Sequence, residues 1–279
     1  MKHKPSDYLD KLKGKSMVML FEKPSTRTRL SFEVAIFQLG GHPVFMDANI
    51  TQLRRGETIA DSARVISRYA DLIIARVNRH ETLTELAENS NVPVINALSD
   101  REHPCQILCD LFTIYERRNK LKGIKLAYMG DGNNVCNSLL LGCAMSGMDI
   151  SVASPEGYEP GGDIVERALE ISKKTGSEIE ILTDPEEASK DADFIYTDVW
   201  VSMGNEKDRE ERMRRFRRYQ VNDELLRKTA LDCRVMHCLP AHRGIEITDE
   251  VIDGPRSIVW DQAENRLHAQ KAVLMELLS

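Results

Sequence analysis

The chain has 279 residues, a formal net charge of −6, 42% hydrophobic and 29% charged residues. At about 150 residues per domain that length fits two domains, with a core that needs neither disulfide nor structural metal. The composition excludes wholesale disorder, the acidic balance argues against non-specific nucleic-acid binding, and no apolar run reaches the roughly 20 residues of a membrane span.

In chain order, short apolar runs at residues 17–21, 44–46, 72–75, 92–96, 124–129, 150–153, 179–182, 194–197, 235–238 and 258–260 predict strands. Amphipathic stretches at 28–39, 58–69, 83–88, 105–117, 135–145, 163–174, 206–218, 224–229 and 263–278 predict helices between them. The alternation predicts parallel sheets with helices on both faces, and ten strands exceed one compact sheet. Two α/β domains are therefore expected, at 1–120 and 121–262, divided near the polar stretch 117–123. The last helix, 263–279, is expected to pack back on the first domain.

Six segments carry candidate chemistry. In Phe21-Glu22-Lys23-Pro24-Ser25-Thr26-Arg27-Thr28-Arg29, Pro24 stops a strand and Ser25 or Thr26 caps a helix whose apolar face reads as Leu30, Val34 and Phe37. The unpaired N–H groups of that first turn, with hydroxyls and guanidinium groups beside them, suit a small anion such as phosphate. Arg76 follows the next central run. In His103-Pro104-Cys105-Gln106, Pro104 suits the first helical position and puts His103 at a strand-to-helix corner, as a ligand contact or a cap.

Gly130-Asp131-Gly132-Asn133-Asn134-Val135 is a partial dinucleotide motif, with valine where the third glycine belongs; its two asparagines offer amides to a polar ligand. Asp198 precedes Val199-Trp200-Val201-Ser202-Met203-Gly204 and suits a cationic group, with Ser202 and the Met203 backbone beside it; an N-cap is the plain alternative. The mixed run Arg209–Arg218 reads as a solvated helix face. In His237-Cys238-Leu239-Pro240 a strand delivers the Cys238 thiol to the same rim, as a nucleophile or an inert buried thiol. Arg266 opens the last helix. The cysteines at 105, 109, 136, 143, 233 and 238 form no CxxC pair and read as reduced thiols of a cytoplasmic protein. Cys233, His237, Cys238 and His242 lack zinc-site spacing, and the opening MKHKPSDYLDKLKGKS lacks the apolar stretch of a secretory signal.

Together, Ser-Thr-Arg-Thr-Arg and His-Pro-Cys-Gln resemble the aspartate/ornithine carbamoyltransferase superfamily, from Lys13 to Ser279. Asp-Val-Trp-Val-Ser-Met-Gly and His-Cys-Leu-Pro are similar to its ornithine branch. The resemblance implies two α/β domains, each a parallel sheet with helices on both faces, and an active site in the cleft between them. It implies transfer of the carbamoyl group of carbamoyl phosphate to the side-chain amine of L-ornithine, giving L-citrulline and phosphate, in arginine biosynthesis. No metal or organic cofactor is implied; the expected assembly is a homotrimer or a multiple of trimers, with no nucleic acid or membrane as partner.

By the same resemblance, Ser25, Thr26, Arg27, Thr28, Arg76, His103, Gln106 and Arg266 hold carbamoyl phosphate. Cys238 and Leu239 line the junction of the substrates, and Gln52 reaches a neighbouring subunit's site. Asn134, Asp198, Ser202 and Met203 bind ornithine. Catalysis falls to Arg27, Arg76, His103, Asp198 and Cys238. Two departures stand out: Arg54 occupies a position where relatives often have glycine, and relatives usually begin a few dozen residues earlier, which bears on stability and trimerisation. Another amine acceptor such as putrescine, a nicotinamide-dependent oxidoreductase, and an inactive truncated form are the alternatives.

Overall fold

The computed structural model describes residues 2–201 and 208–279, so Ser202 and Met203 lie outside the described residues. The chain divides into two compact units, one of residues up to Cys109 with Glu264–Ser279, the other Asp110–Ala263. The division near 110 falls inside the helix Pro104–Arg118, which runs into the polar stretch 117–123. Polarity marks the end of that helix, while contacts assign its first turns to the preceding sheet.

In the first unit, β1 (Ser16–Phe21), β2 (His42–Asp47), β3 (Leu72–Arg76) and β4 (Val94–Leu98) pair in parallel, in the order β2-β1-β3-β4. One face of the sheet (Met17, Met19, Phe21, Leu72, Ile74) is covered by Phe32, Ala35, Ile36 and Leu39 of the α1 region (Thr26–Gln38) and by Leu274 and Leu278 of the C-terminal helix. The opposite face (Leu20, Ala75, Val77) meets Ala63 of α2 (Ile59–Ile66) and Leu83 and Leu86 of α3 (His80–Asn89). β1 is thus apolar on both sides, as a central parallel strand requires.

The buried face of α1 corrects the sequence reading. Leu30 and Phe37 are 55% and 73% exposed, and Val34 is also exposed, whereas Phe32, Ala35 and Ile36 are fully buried. The helix carries two apolar stripes; helical spacing reveals both and does not say which one the sheet covers.

In the second unit, α4 (Pro104–Arg118), which begins in the first unit, leads to β5 (Lys125–Met129). β6 (Asp149–Ala153), β7 (Ile179–Leu182), β8 (Phe194–Thr197) and β9 (Arg234–His237) complete a parallel sheet ordered β7-β6-β5-β8-β9. Around it run α5 (Asn134–Ser146), α6 (Gly162–Thr175), α7 (Pro185–Ser189), α8 (Arg209–Phe216), α9 (Asp223–Leu226), α10 (Asp249–Ile252) and the start of α11 (Val259–Leu278). The strand expected at 258–260 is instead the opening of α11; only Ser257 bridges to Val235. A three-residue apolar run satisfies either period, and burial of Val259, Gln262 and Arg266 along one helical face selects the helix. No described helix is long and apolar enough to cross a membrane.

Both sheets reverse direction once. The chain runs from β1 outward to β2 and then returns to place β3 on the other side of β1; likewise β5 leads outward to β6 and β7, and β8 returns to its other side. Ligands in open parallel sheets bind at the carboxyl ends of the strands flanking such a reversal.

Candidate active site

At the first reversal, β1 ends at Phe21, and four residues later Ser25 caps α1 by accepting from Thr28 N–H at 3.3 Å. β3 ends beside it at Arg76, paired in register with Phe21. From β4 the chain turns through His103 into α4, with Pro104 as first residue. Arg266 arrives from α11; its Nη1 donates to Gln106 Oε1 at 2.6 Å and its Nη2 to Thr28 Oγ1 at 3.4 Å. Thr28, Arg76, His103, Gln106 and Arg266 are all buried; Ser25 and Arg27 are half-buried and Thr26 exposed.

Arg27, Arg76 and Arg266 lie near enough to one another and to His103 for their charges to interact. Burial, followed by Arg266 and Arg27, pushes the Arg76 pKa down to about 10. Burial, followed by Arg266, Arg76 and Arg27, holds His103 far below the ordinary imidazole range, so the ring is neutral at pH 7. Among the described residues neither Arg76 nor Arg266 has a carboxylate partner. Gathering buried cations without an acid is costly, and a bound dianion removes the cost.

Arg29 does not join the cluster that its place in Ser-Thr-Arg-Thr-Arg suggested. Its Nε donates to Glu33 Oε1 at 2.9 Å and its guanidinium lies 3.7 Å from the centre of the Phe45 ring. Two residues along a helix from Arg27, it faces another side. Gln52 lies exposed at the start of a short 3-10 turn, Gln52–Arg55, and its side chain makes no hydrogen bond among the described residues.

At the second reversal, Asn133 caps α5, its Oδ1 accepting from Val135 and Cys136 N–H at 2.9 and 3.1 Å. Its Nδ2 reaches over from the end of β5 to the end of β8 and donates to Asp198 Oδ2 at 2.9 Å. The other oxygen of Asp198 accepts from Cys238 Sγ at 3.0 Å. Burial, then the Asp198 charge, keeps the Cys238 thiol well above its ordinary range, so it is a protonated donor rather than a thiolate. Asn134 is half-buried at the first position of α5, and Leu239, in left-handed backbone with φ 57°, packs partly on the core.

Gly132 decides the meaning of the partial glycine motif. A Cβ there would lie 2.2 Å from Pro160 N and 2.3 Å from Glu159 C, so the glycine admits the chain's own 159–160 backbone. In a dinucleotide site the second glycine admits a pyrophosphate. The nicotinamide alternative therefore loses its structural basis.

The sequence reading missed Asp131, Arg212 and Glu246. Arg212, within the run read as a solvated face, is buried; its Nη1 donates to Asp131 Oδ2 at 2.7 Å and to Trp200 O at 2.9 Å, and its guanidinium lies 4.8 Å from the Tyr158 ring centre. A buried Phe216 on the same helix was the available signal, since it turns one face of α8 inward. Among the described residues the one grouping compact enough for a metal is Asp198, His237 and Cys238, without Cys233 or His242. His237 has both ring nitrogens engaged within the protein, with Leu239 N–H and Glu246.

Two parallel α/β units, one gathering buried arginines beside a neutral histidine and one holding an acid between an amide and a thiol, define a two-domain α/β protein. Residues 1–116 match the carbamoyl-phosphate-binding domain, and 122–277 the aspartate/ornithine-binding domain, of aspartate/ornithine carbamoyltransferase. The chain belongs to that family. It is 57% identical over 267 residues to an ornithine carbamoyltransferase of Pyrococcus horikoshii, covering 96% of this chain and 84% of the relative. A Methanocaldococcus jannaschii ornithine carbamoyltransferase is 57% identical over 263 residues, covering 94% and 86%. The solved ornithine carbamoyltransferase of Pyrococcus furiosus superposes with a TM-score of 0.95 at 54% identity, covering 99% of this chain and 88% of that one.

Proposed function

We propose that this protein transfers the carbamoyl group of carbamoyl phosphate to the side-chain amine of L-ornithine, releasing L-citrulline and phosphate. The observation that carries the reading is the convergence of Arg27, Arg76 and Arg266 on a neutral His103. Such a receptor suits a phosphate dianion next to a carbonyl oxygen that gains charge during reaction.

Ser25, Thr26, Arg27 and Thr28 grip the phosphate with the first turn of α1, joined by Arg76 and Arg266. His103, being neutral, donates one hydrogen bond to the carbamoyl oxygen; Gln106, fixed by Arg266, serves the carbamoyl amide. Asp198 and Asn134 orient ornithine, with Ser202 and Met203 completing that site, and Leu239 lines the acceptor side with Cys238. Direct attack on the carbamoyl carbon needs a neutral amine, which at pH 7 costs about 4–5 kcal/mol for a free pKa near 10.4. Buried positive charge helps supply this, and the departing phosphate accepts the amine proton, so no strong protein base is required. Stabilisation of the developing oxyanion by Arg27, Arg76 and His103 is the main catalytic contribution, followed by orientation of two bound substrates.

A homotrimer is part of the proposal. The exposed stripe Leu30, Val34 and Phe37 offers an apolar face to another copy, and an exposed Gln52 is suited to serve a neighbour's site. The test is a citrulline colour assay with ornithine, putrescine and other amines as acceptors, together with light scattering. Ornithine-specific turnover by a trimer supports the reading; turnover with another amine reassigns the acceptor, and no turnover by intact protein overturns it.

A further inference from the structure

We propose that His237 and Glu246 act as a positioning pair, setting the turn that aims Cys238 at Asp198; this rests on the carbamoyl-transfer reading above. His237 closes β9 immediately before Cys238, and its main-chain N–H and both ring nitrogens are engaged. Its main-chain N–H donates to Gln262 Oε1 at 2.9 Å. Its ring Nδ1 accepts from Leu239 N–H at 2.8 Å. Because a peptide N–H only donates, Nδ1 must carry the lone pair, and the ring proton therefore sits on Nε2. That nitrogen faces Glu246 Oε1 at 3.2 Å, and both side chains are wholly buried. Glu246 Oε1 also accepts from His242 N–H, which ties the carboxylate to the chain just beyond the turn.

The pair thus selects a tautomer, and the tautomer selects a backbone conformation. Leu239 is one of few non-glycine residues here with positive φ, 57°, a conformation that side chains with a Cβ disfavour. The Leu239 N–H bond to His237 Nδ1 spans Cys238 and fixes the peptide plane between Cys238 and Leu239, from which that conformation departs. Cys238 is thereby fixed with its Sγ 3.0 Å from Asp198 Oδ1. Neither His237 nor Glu246 is assigned a contact with substrate; they act through the turn.

Asparagine and glutamine separate the two ring nitrogens, because the Asn amide oxygen falls near Nδ1 and the Gln amide nitrogen near Nε2. The experiment measures kcat and KM for ornithine, phosphate affinity by calorimetry, and the alkylation rate of Cys238 by iodoacetamide in H237N and H237Q. H237Q is expected to lower kcat about tenfold or more below H237N, since only the latter keeps the acceptor for Leu239 N–H. Phosphate affinity stays unchanged in both, and Cys238 alkylation accelerates in H237Q more than in H237N. Equal kcat for the two variants, or a loss traced to phosphate affinity, overturns the proposal.

Should H237Q fail to fold, a cycle of H237N, E246Q and the double variant decides. E246Q adds no further loss in the H237N background if the residues act as a pair, and independent, multiplicative losses overturn it. Wild-type turnover with indifferent variants refutes the pair alone. Absence of wild-type turnover refutes the parent reading, and the alkylation rates still test the pair.

Discussion

Cys238 Sγ donates to Asp198 Oδ1 at 3.0 Å, while Asn133 Nδ2 donates to the other oxygen of the same carboxylate at 2.9 Å. Three segments far apart in sequence meet on one acid, at the ends of three adjacent strands, β5, β8 and β9. A carboxylate fixed at both oxygens is suited to present a defined edge to a cation, and the thiol that fixes it stays protonated.

Cys238→Ala is therefore expected to lower kcat by about ten- to a hundredfold without abolishing turnover, measured by citrulline release. The wild-type thiol should react with iodoacetamide only slowly until the pH passes well beyond the usual thiol range, because burial and Asp198 both oppose the thiolate. Complete loss of activity in a folded Cys238→Ala protein would instead indicate covalent catalysis.

Arg76 is expected to trade stability for binding. Its pKa, pushed down to about 10 from the ordinary guanidinium range, means that below pH 10 the folded state holds a charge it disfavours, at a cost of roughly 3 kcal/mol. Above pH 10 and below the ordinary guanidinium range the unfolded chain binds more protons, so the Arg76 contribution to stability improves as the pH rises above 10. Arg76→Met should raise the urea midpoint of the ligand-free protein, by roughly 1–3 kcal/mol in unfolding free energy, and remove phosphate binding in calorimetry.

His103 provides the corresponding prediction on the acid side. Its folded pKa lies far below 6.5, so the unfolded chain takes up the proton first as the pH falls. Stability owed to the neutral ring is complete above 6.5 and is lost progressively below it. In a histidine NMR titration the His103 resonance should stay in its neutral position from pH 8 to below pH 6; a midpoint near 6.5 would contradict the gathered guanidinium groups.

Arg212→Met should destabilise the protein by about 3–5 kcal/mol, because it leaves Asp131 as an unpaired buried acid. Adding Asp131→Asn should recover a large part of that loss in urea unfolding. Strict additivity of the two single effects would show that Arg212 contributes through its aromatic neighbours, Tyr158 and Phe216, instead.

What the sequence determined by itself was set within a few residues of the chain. The cap at Ser25, proline opening α4 after His103, and the strands from β1 to β9 follow from local hydrogen bonding and apolar period, which neighbours along the chain decide. Recurring motif spacing placed the family on the same footing. Only the tertiary structure decided which donors meet. It joined Arg27, Arg76 and Arg266 while sending Arg29 to Glu33, buried Arg212 against Asp131, chose Phe32 over Phe37 as the inner stripe of α1, and filled the approach to Gly132 with the 159–160 backbone. These outcomes depend on strand order and on which helix face the sheet covers. Both minimise the free energy of the assembled core rather than of any local segment, so no short stretch of residues encodes them.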